Sequence, residues 1–223
     1  MNTLTERLRN EEEVRRVWSE IINHPFVTEL YSGSLPIEKF KYYVRQDYNY
    51  LIGMMRAYSL LASKAEYEVA KEALEIAYLD ATIEMENYVK LLKKLGMDLK
   101  EVLSTEPSPT NEAYMNFLIS TCALKSPLEC LVATLPCFWT YLVIAETHKD
   151  LLRNNSNPIY VEWCSVYLSK EYRELLSKLR SIVDDLWVTG KGNYEVLKKL
   201  FIRASKYEWM FWDAAYRLES WPV

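Results

Sequence analysis

Apolar residues recur at spacings of three and four through nearly the whole chain, and runs of strict alternation are missing. This period is typical of amphipathic α-helices, because residues three and four apart share one helix face. We therefore predict an all-α protein. The predicted helices cover approximately residues 5–23, 37–63, 66–95, 111–124, 128–151, 160–167, 170–189 and 194–218.

Prolines, glycines and small polar residues mark the predicted helix ends. Pro25 follows the first helix and Gly96 the third, while Ser126 and Pro127 form an N-cap and first turn for the fifth. The chain has only 5 glycines in 223 residues, which favours long helices with short connections. Since no repeat, low-complexity stretch or linker interrupts it, we predict one helical domain over residues 1–223.

Charge and composition narrow the classes of partner. The formal net charge is −4 and no block of lysine and arginine is present, so we expect no nucleic-acid partner. The first residues lack the apolar core of a signal peptide, and no apolar run reaches about 18 residues. We therefore expect a cytoplasmic protein that does not enter a membrane.

Cysteine and histidine spacing gives no sign of a metal site. Cys122, Cys130, Cys137 and Cys164 contain no Cys-x-x-Cys pair, and the 2 histidines lie far apart in the chain. We expect no metal, and each cysteine has to be judged by its own surroundings.

Two acidic residues keep the phase of an apolar stripe. Asp47 continues the inner stripe of the second predicted helix, and Glu208 lies at the centre of the stripe of the last. A buried carboxyl group must be ion-paired, hydrogen-bonded or protonated to offset the loss of its hydration. A structural alternative is a buried ion pair with Arg45 or Arg203.

Cys137 is the third residue of interest. It follows Pro136, which removes one backbone hydrogen bond from the helix and is expected to kink it beside the thiol. Tyr141 lies one turn later on the same face, Tyr50 follows Asp47 by three residues, and Tyr114 also lies on an apolar face.

A pocket with tyrosine rings, two acids and a thiol suits a flat, nitrogen-rich heterocycle, because rings stack on it and carboxylates accept its N–H groups. The simpler interpretation is that the cysteine fills the core as a small hydrophobic residue and that the tyrosines are core residues too.

Three separated motifs resemble the TenA (thiaminase II) family. Residues 24–27 (His-Pro-Phe-Val) and 46–51 (Gln-Asp-Tyr-Asn-Tyr-Leu) resemble its N-terminal part. Residues 135–141 (Leu-Pro-Cys-Phe-Trp-Thr-Tyr) are similar to its cysteine motif, and residues 204–208 (Ala-Ser-Lys-Tyr-Glu) to its C-terminal glutamate motif. The motifs occur in the family's order and span most of the chain.

This resemblance implies a haem-oxygenase-like all-α bundle that assembles as a homotetramer. It also implies a cofactor-free hydrolase that releases hydroxymethylpyrimidine from an aminopyrimidine or thiamin-derived substrate, in thiamin salvage. Cys137 matches the nucleophile of the family's cysteine-bearing branch, Glu208 the catalytic acid, and Asp47 the acid beside thiol and ring. The residues matched to ring binding are Tyr50, Tyr114, Tyr141 and Tyr167, with Tyr160 as the alternative to Tyr167.

One position departs from the family pattern, since Ala145 stands where a glycine is expected after the cysteine motif. The extra methyl group is expected to tighten packing near the pocket.

Two other functions remain open at this stage. The chain could bind a pyrimidine without cleaving it, or it could be a cofactor-dependent oxygenase on the same fold. His24 and His148 are the available imidazole ligands for an oxygenase. Neither belongs to a Glu-x-x-His pair, so a di-iron carboxylate site has no support from the sequence.

Overall fold

The computed structural model describes residues 3–190 and 192–223, and this part of the chain forms helices and no β-strand. The predicted all-α class is confirmed. The first half contains α1 (Leu4–Arg9), α2 (Glu12–Ile22), α3 (Pro25–Ser32), α4 (Ile37–Ala62), α5 (Tyr67–Leu79), a π-helix (Asp80–Glu84), α6 (Met85–Leu95) and α7 (Leu99–Leu103). The second half contains α8 (Pro109–Leu124), α9 (Pro127–Thr147), α10 (Lys149–Arg153), α11 (Pro158–Ser165), a 3₁₀ turn (Val166–Leu168), α12 (Lys170–Thr189) and α13 (Tyr194–Arg217).

Capping residues explain the boundaries that the sequence predicted well. Ser126 and Glu129 form a capping box at the start of α9, with Pro127 in the first turn. At the start of α13, the Asn193 side chain accepts hydrogen bonds from two backbone N–H groups. Gly96 ends α6 in the left-handed conformation, with φ 64°.

Residues 24–36 were predicted to be a connection between two helices, and this prediction is wrong. Pro25 begins α3 instead, and the Nδ1 atom of His24 caps it by accepting a hydrogen bond from the Phe26 backbone N–H at 3.1 Å. The predicted first helix is divided into α1 and α2 at Asn10 and Glu11. These breaks depend on side-chain capping, which the apolar period does not report.

His148 divides the predicted fifth helix into α9 and α10. Its Nε2 atom lies 2.8 Å from the backbone oxygen of Ile22, which ties the break to the end of α2. Both histidines therefore lie at helix ends, as predicted for His24.

Helix α9 is the central helix of the bundle. It packs against α13, α12, α8 and α2, and most of its residues are buried. By length and composition it is apolar enough to cross a membrane, but 67% of its most apolar window is buried, as in the core helix of a globular bundle. Pro136 lies inside α9, and the helix continues through it.

The helix predicted over residues 66–95 is interrupted by the π-helix Asp80–Glu84. A π-turn replaces the i→i+4 hydrogen-bond pattern with i→i+5 and therefore shifts the phase of the side chains that follow. Such turns occur often at functional sites. The interruption brings Asp80 and Glu84 to the wall of the main cavity.

A disulfide joins Cys122 at the end of α8 to Cys130 in the first turns of α9, with the Cα atoms 4.7 Å apart. Both residues are fully buried, whereas Cys137 and Cys164 are free. The cross-link fixes the corner between two helices just before the Pro136 turn. The sequence did not reveal this pairing, because it depends on how α8 and α9 meet.

Removing this cross-link should destabilise the fold. Replacing Cys122 and Cys130 together with alanine should lower the free energy of unfolding by about 2–3 kcal/mol, because a closed loop of this length restricts the unfolded chain. Denaturant unfolding of the oxidised wild type and the double variant measures the difference. As a control, a thiol reductant should leave the double variant unchanged. Equal stability of variant and wild type would contradict a structural role.

Candidate functional site

A cavity of about 410 Å³ opens between α4, the π-helix region, α9, α11 and α12. Its volume lies in the range typical of small-molecule sites, and most of its wall is aromatic or aliphatic. The side chains used below all line it: Tyr43, Asp47, Tyr50, Asp80, Glu84, Lys90, Lys94, Cys137, Phe138, Tyr141, Glu162, Trp163, Tyr167 and Tyr172.

Helix α4 supplies one wall through residues spaced by four and three, Tyr43, Asp47 and Tyr50. Gln46, on another face of α4, fixes this helix against the start of α8. Its Oε1 atom accepts from the Ser108 backbone N–H at 2.9 Å, and the same oxygen accepts from the Asn111 side chain at 2.9 Å. The position of Asp47 is therefore set by a buried hydrogen-bond network beside it.

Helix α9 supplies the wall that carries the thiol. Cys137 and Tyr141 are one helical turn apart and both line the cavity, as the sequence predicted. The Tyr43 and Tyr141 hydroxyl oxygens lie 2.9 Å apart, which joins the α4 and α9 walls. The Tyr50 hydroxyl lies beside the Cys137 thiol and has no hydrogen-bond partner within residues 3–190 and 192–223.

Tyrosine rings continue the wall beyond α9. The Tyr167 ring lies between Tyr141 and Tyr172, with centroid distances of 4.8 and 5.1 Å. The Tyr172 hydroxyl donates to the backbone oxygen of Phe138 at 2.9 Å, next to the thiol. Tyr160 is instead fully buried and donates to the backbone oxygen of Leu35, so Tyr167 is the one that lines the cavity.

Glu208 and Tyr114 lie one layer behind the cavity surface. Glu208 on α13 is 3% exposed, and the Tyr114 hydroxyl donates to its Oε1 atom at 2.6 Å. The Tyr114 ring packs against Tyr50, with the centroids 5.2 Å apart. Tyr114 was expected to contact the ring of a ligand, but in this structure it contacts Glu208 and is separated from the cavity by Tyr50.

Asp47 and Glu208 have no cationic partner among the described residues. Arg45 pairs with Glu101 at 3.3 Å, and Arg203 is exposed. In the described part of the chain, neither Asp47 nor Glu208 belongs to an ion pair, so the proposed structural pairing with either arginine is wrong for these residues.

Burial without a counter-charge controls the ionisation of the site. Burial raises the pKa of Glu208 to about 7, although the hydrogen bond from Tyr114 favours its charged form. Burial, together with repulsion from Glu84, Glu208 and Asp80, raises the pKa of Asp47 to about 7.

Burial, followed by repulsion from Glu208, raises the pKa of the Cys137 thiol well above its ordinary value. The resting thiol is therefore protonated, and a nucleophilic role requires a base that accepts its proton as it attacks. Asp47 lies in the same cavity and is the candidate for this base.

Asp80 and Glu84 were not found by the sequence analysis, although a signal was present. Ile76 and Asp80 are four residues apart on one face, so Asp80 also continues an apolar stripe. The rule that singled out Asp47 would have singled out Asp80 as well. Ala145 is fully buried but does not line the cavity, so its methyl group does not shape the wall directly.

No group of three or more His, Cys, Asp or Glu side chains in the described ranges is arranged to hold a metal ion. The chemistry available within the cavity is that of a thiol, carboxyl groups and tyrosine hydroxyls.

Comparisons with known proteins identify the family that this chain resembles. The sequence model of the TENA/THI-4/PQQC family matches residues 11–218. A relative named aminopyrimidine aminohydrolase, from Halalkalibacterium halodurans, is 30% identical over 213 residues, which is 94% of this chain and 95% of the relative.

Solved structures of similar fold were also found. A TenA homologue protein from P. horikoshii OT3 is 48% identical with a TM-score of 0.92, covering 97% of this chain and 99% of that chain. A domain of unknown function with a heme oxygenase-like fold from Shewanella denitrificans OS217 has a TM-score of 0.74 at 16% identity, covering 98% and 94% of the two chains. That second likeness shows the fold alone. The predicted haem-oxygenase-like class is confirmed.

The raised pKa of Glu208 makes stability depend on pH in a defined direction. The folded state retains the Glu208 proton up to about pH 7, whereas the unfolded chain loses it near ~4.3. The stabilisation by this proton is therefore complete below the unfolded pKa and is lost as pH rises through the folded one. Between about pH 5 and pH 8, wild type should lose on the order of 2–3 kcal/mol more unfolding free energy than Glu208→Gln.

Denaturant unfolding at several pH values measures this difference. The exposed Glu20 has no ion-pair partner in the described ranges, so Glu20→Gln is the matched control and should keep the pH dependence of wild type. Parallel curves for wild type and Glu208→Gln would show that Glu208 is ionised throughout.

Proposed function

The chain belongs to the TENA/THI-4/PQQC family, as its three motifs predicted, and on this premise we propose that it is an aminopyrimidine aminohydrolase. It is a hydrolase of C–N bonds that releases hydroxymethylpyrimidine for thiamin salvage. The observation that carries the assignment is the cavity that brings the Cys137 thiol and the unpaired Asp47 together among tyrosine rings.

The shape and chemistry of the cavity support binding of a flat aminopyrimidine. Tyr141, Tyr167 and Tyr50 offer ring faces and edges on which an aromatic heterocycle packs. The Asp47 carboxylate accepts the N–H groups of an amino substituent, and this acceptor has no competing cation in the described residues. The site is thus complementary to the aminopyrimidine portion of the substrate.

The proposed reaction begins with attack by sulfur. The Cys137 thiol adds to a carbon of the pyrimidine ring as Asp47 takes its proton, while protonated Glu208 gives a proton to a ring nitrogen. The bond between the exocyclic methylene carbon and the amine nitrogen then breaks, and the proton held by Asp47 leaves with the amine.

Hydrolysis completes the cycle. Water adds to the methylene carbon and gives one proton to Asp47. The sulfur–carbon bond breaks, the ring nitrogen returns its proton to Glu208, and the ring becomes aromatic again. The thiolate recovers its proton from Asp47, so every group ends in its starting state.

Glu208 needs a path to the ring, because it does not itself line the cavity. The Tyr50 hydroxyl lies within reach of both Cys137 and Tyr114 and lacks a hydrogen-bond partner in the described ranges. We infer that Tyr50 carries the proton between Glu208 and the ring. Tyr114 is then a positioning residue that fixes the Glu208 carboxyl group.

A protein that binds a pyrimidine without cleaving it remains the second candidate, because a cavity alone does not require turnover. Release of ammonia from an aminomethylpyrimidine separates the two functions. Tight binding without ammonia release would favour the non-catalytic function.

We further propose a single domain, a homotetramer and a cytoplasmic location. Exposed apolar residues on one face of α5 (Tyr67, Leu74 and Tyr78) support burial against other subunits. The buried disulfide would be unusual for a cytoplasmic protein, because disulfides are rare in the cytosol except in proteins of hyperthermophiles. Light scattering of the purified protein and the redox state of the pair in cell extracts test these two points.

The nucleophile can be tested by removing its sulfur. Cys137→Ser should lower kcat by about 10³-fold or more while the unfolding transition is retained, because a serine hydroxyl has no comparable nucleophilicity here. Cys164→Ala is the matched control, since Cys164 is the other free cysteine and does not line the cavity. This control should keep its activity. A Cys137→Ser enzyme of undiminished rate would eliminate the proposed mechanism.

The role of Tyr114 has a distinct signature in the pH profile. Its hydrogen bond favours the charged form of Glu208 and lowers the pKa of that carboxyl group. Tyr114→Phe should therefore reduce kcat roughly tenfold and move the alkaline limb to higher pH, because activity requires protonated Glu208. Rate profiles from acid to alkaline pH measure both effects. A reduced rate with an unmoved limb would assign Tyr114 to packing only.

A further inference from the structure

Two carboxyl groups of the cavity have no part in the proposed bond-breaking steps. Asp80 and Glu84 lie at the two ends of the π-helix, and both line the same cavity as Cys137. In the described part of the chain neither belongs to an ion pair, and the Oδ2 atom of Asp80 is buried without a hydrogen-bond partner. These acids are therefore available to a ligand.

Tyr50 gives an independent indication that this cavity is completed by a ligand. It is 7% exposed, lines the cavity, and has a hydroxyl group without a hydrogen-bond partner in the described ranges. Buried hydroxyl groups are normally hydrogen-bonded, so an unpartnered one at a cavity wall marks a place for a ligand atom.

The sign of the charge in the cavity indicates what kind of ligand this is. Its lining includes four acids, Asp47, Asp80, Glu84 and Glu162, against the two lysines Lys90 and Lys94. Lys94 is already neutralised, because its Nζ atom lies 2.6 Å from Glu162 Oε1. The three remaining acids line the same cavity with Lys90 as the remaining lysine, so the lining carries a net negative charge when these acids are ionised.

We propose that Asp80 and Glu84 form a subsite for a positively charged leaving group, so that the enzyme prefers aminopyrimidines whose exocyclic nitrogen carries a positive charge. The inference rests on the proposed function and specifies its substrate class. The pyrimidine ring lies against Cys137 and Asp47, and the cationic part extends toward the π-helix. Protonated amines satisfy this requirement, whereas amides do not.

Repulsion among the acids supports the subsite. Burial, together with repulsion from the nearby Glu84, raises the pKa of Asp80 to about 7. A cation between the carboxyl groups removes this repulsion and favours their charged forms. Because no group in the described ranges is arranged to hold a metal ion, an organic cation is the ligand that matches.

The experiment compares two substrates of one pyrimidine. The first is the aminomethylpyrimidine, a primary amine that is protonated at neutral pH, and the second is its N-acetyl derivative, a neutral amide. Asp80→Asn and Glu84→Gln should each lower kcat/KM for the amine by about 5-fold or more, mainly through KM, and for the amide by less than about 2-fold.

Glu86→Gln is the matched control, because Glu86 is an exposed acid two residues beyond Glu84 and does not line the cavity. It should leave both substrates unaffected. Equal losses for amine and amide in Asp80→Asn and Glu84→Gln, or no loss for the amine, would overturn the subsite.

A binding measurement keeps this inference separate from the proposed function. If wild type converts neither substrate, the proposed function fails, and calorimetric affinities for the aminomethylpyrimidine and the neutral hydroxymethylpyrimidine decide the subsite. Weaker binding of only the cationic compound in Asp80→Asn and Glu84→Gln supports it. Equal weakening of both compounds, or none, rejects it.

Discussion

The site depends on carboxyl groups held inside a helical bundle without a compensating cation among the residues that the structure describes. Ionisation of a buried acid is costly because its hydration is lost, so Glu208 and Asp47 retain protons at a pH where exposed acids would not. The same surroundings keep the Cys137 thiol protonated. This constraint supplies an acid for the ring nitrogen and requires that a base act together with the nucleophile. Position assigns the roles of the two carboxyl groups, because Asp47 lines the cavity with the thiol and Glu208 does not.

The scaffold makes this arrangement rigid before a ligand binds. The hydrogen bonds of Gln46 fix α4 against α8, the hydroxyl groups of Tyr43 and Tyr141 join α4 to α9, and Tyr172 bonds to the backbone beside the thiol. Groups held in this way need little further ordering when the substrate arrives, so more of the binding energy remains for the reaction. The disulfide between α8 and α9 contributes to the same rigidity at the end of the bundle that carries the nucleophile helix.

Part of the site could be predicted from sequence, because its residues follow the period of regular helices. Asp47 and Cys137 appear as polar or reactive residues in apolar stripes, and Tyr141 follows Cys137 by one turn. Features outside this period were missed. The π-helix shifts the phase that places Glu84 at the cavity, the start of α3 depends on a histidine cap, and the disulfide depends on the corner between two helices. The helical period correctly placed Tyr114 on a buried face. It could not show that the Tyr50 ring would separate Tyr114 from the cavity.

The ionisation state of Glu208 is the most direct test of the account. Carboxyl ¹³C NMR of glutamate-labelled protein, with Glu208→Gln to assign the resonance, follows this one group through a titration. The account predicts a transition at about 7, with the group protonated in mildly acidic solution. A Glu208 resonance that is already fully ionised near the ordinary glutamate pKa of about 4.3 would contradict it, because the proposed acid would then have no proton to give.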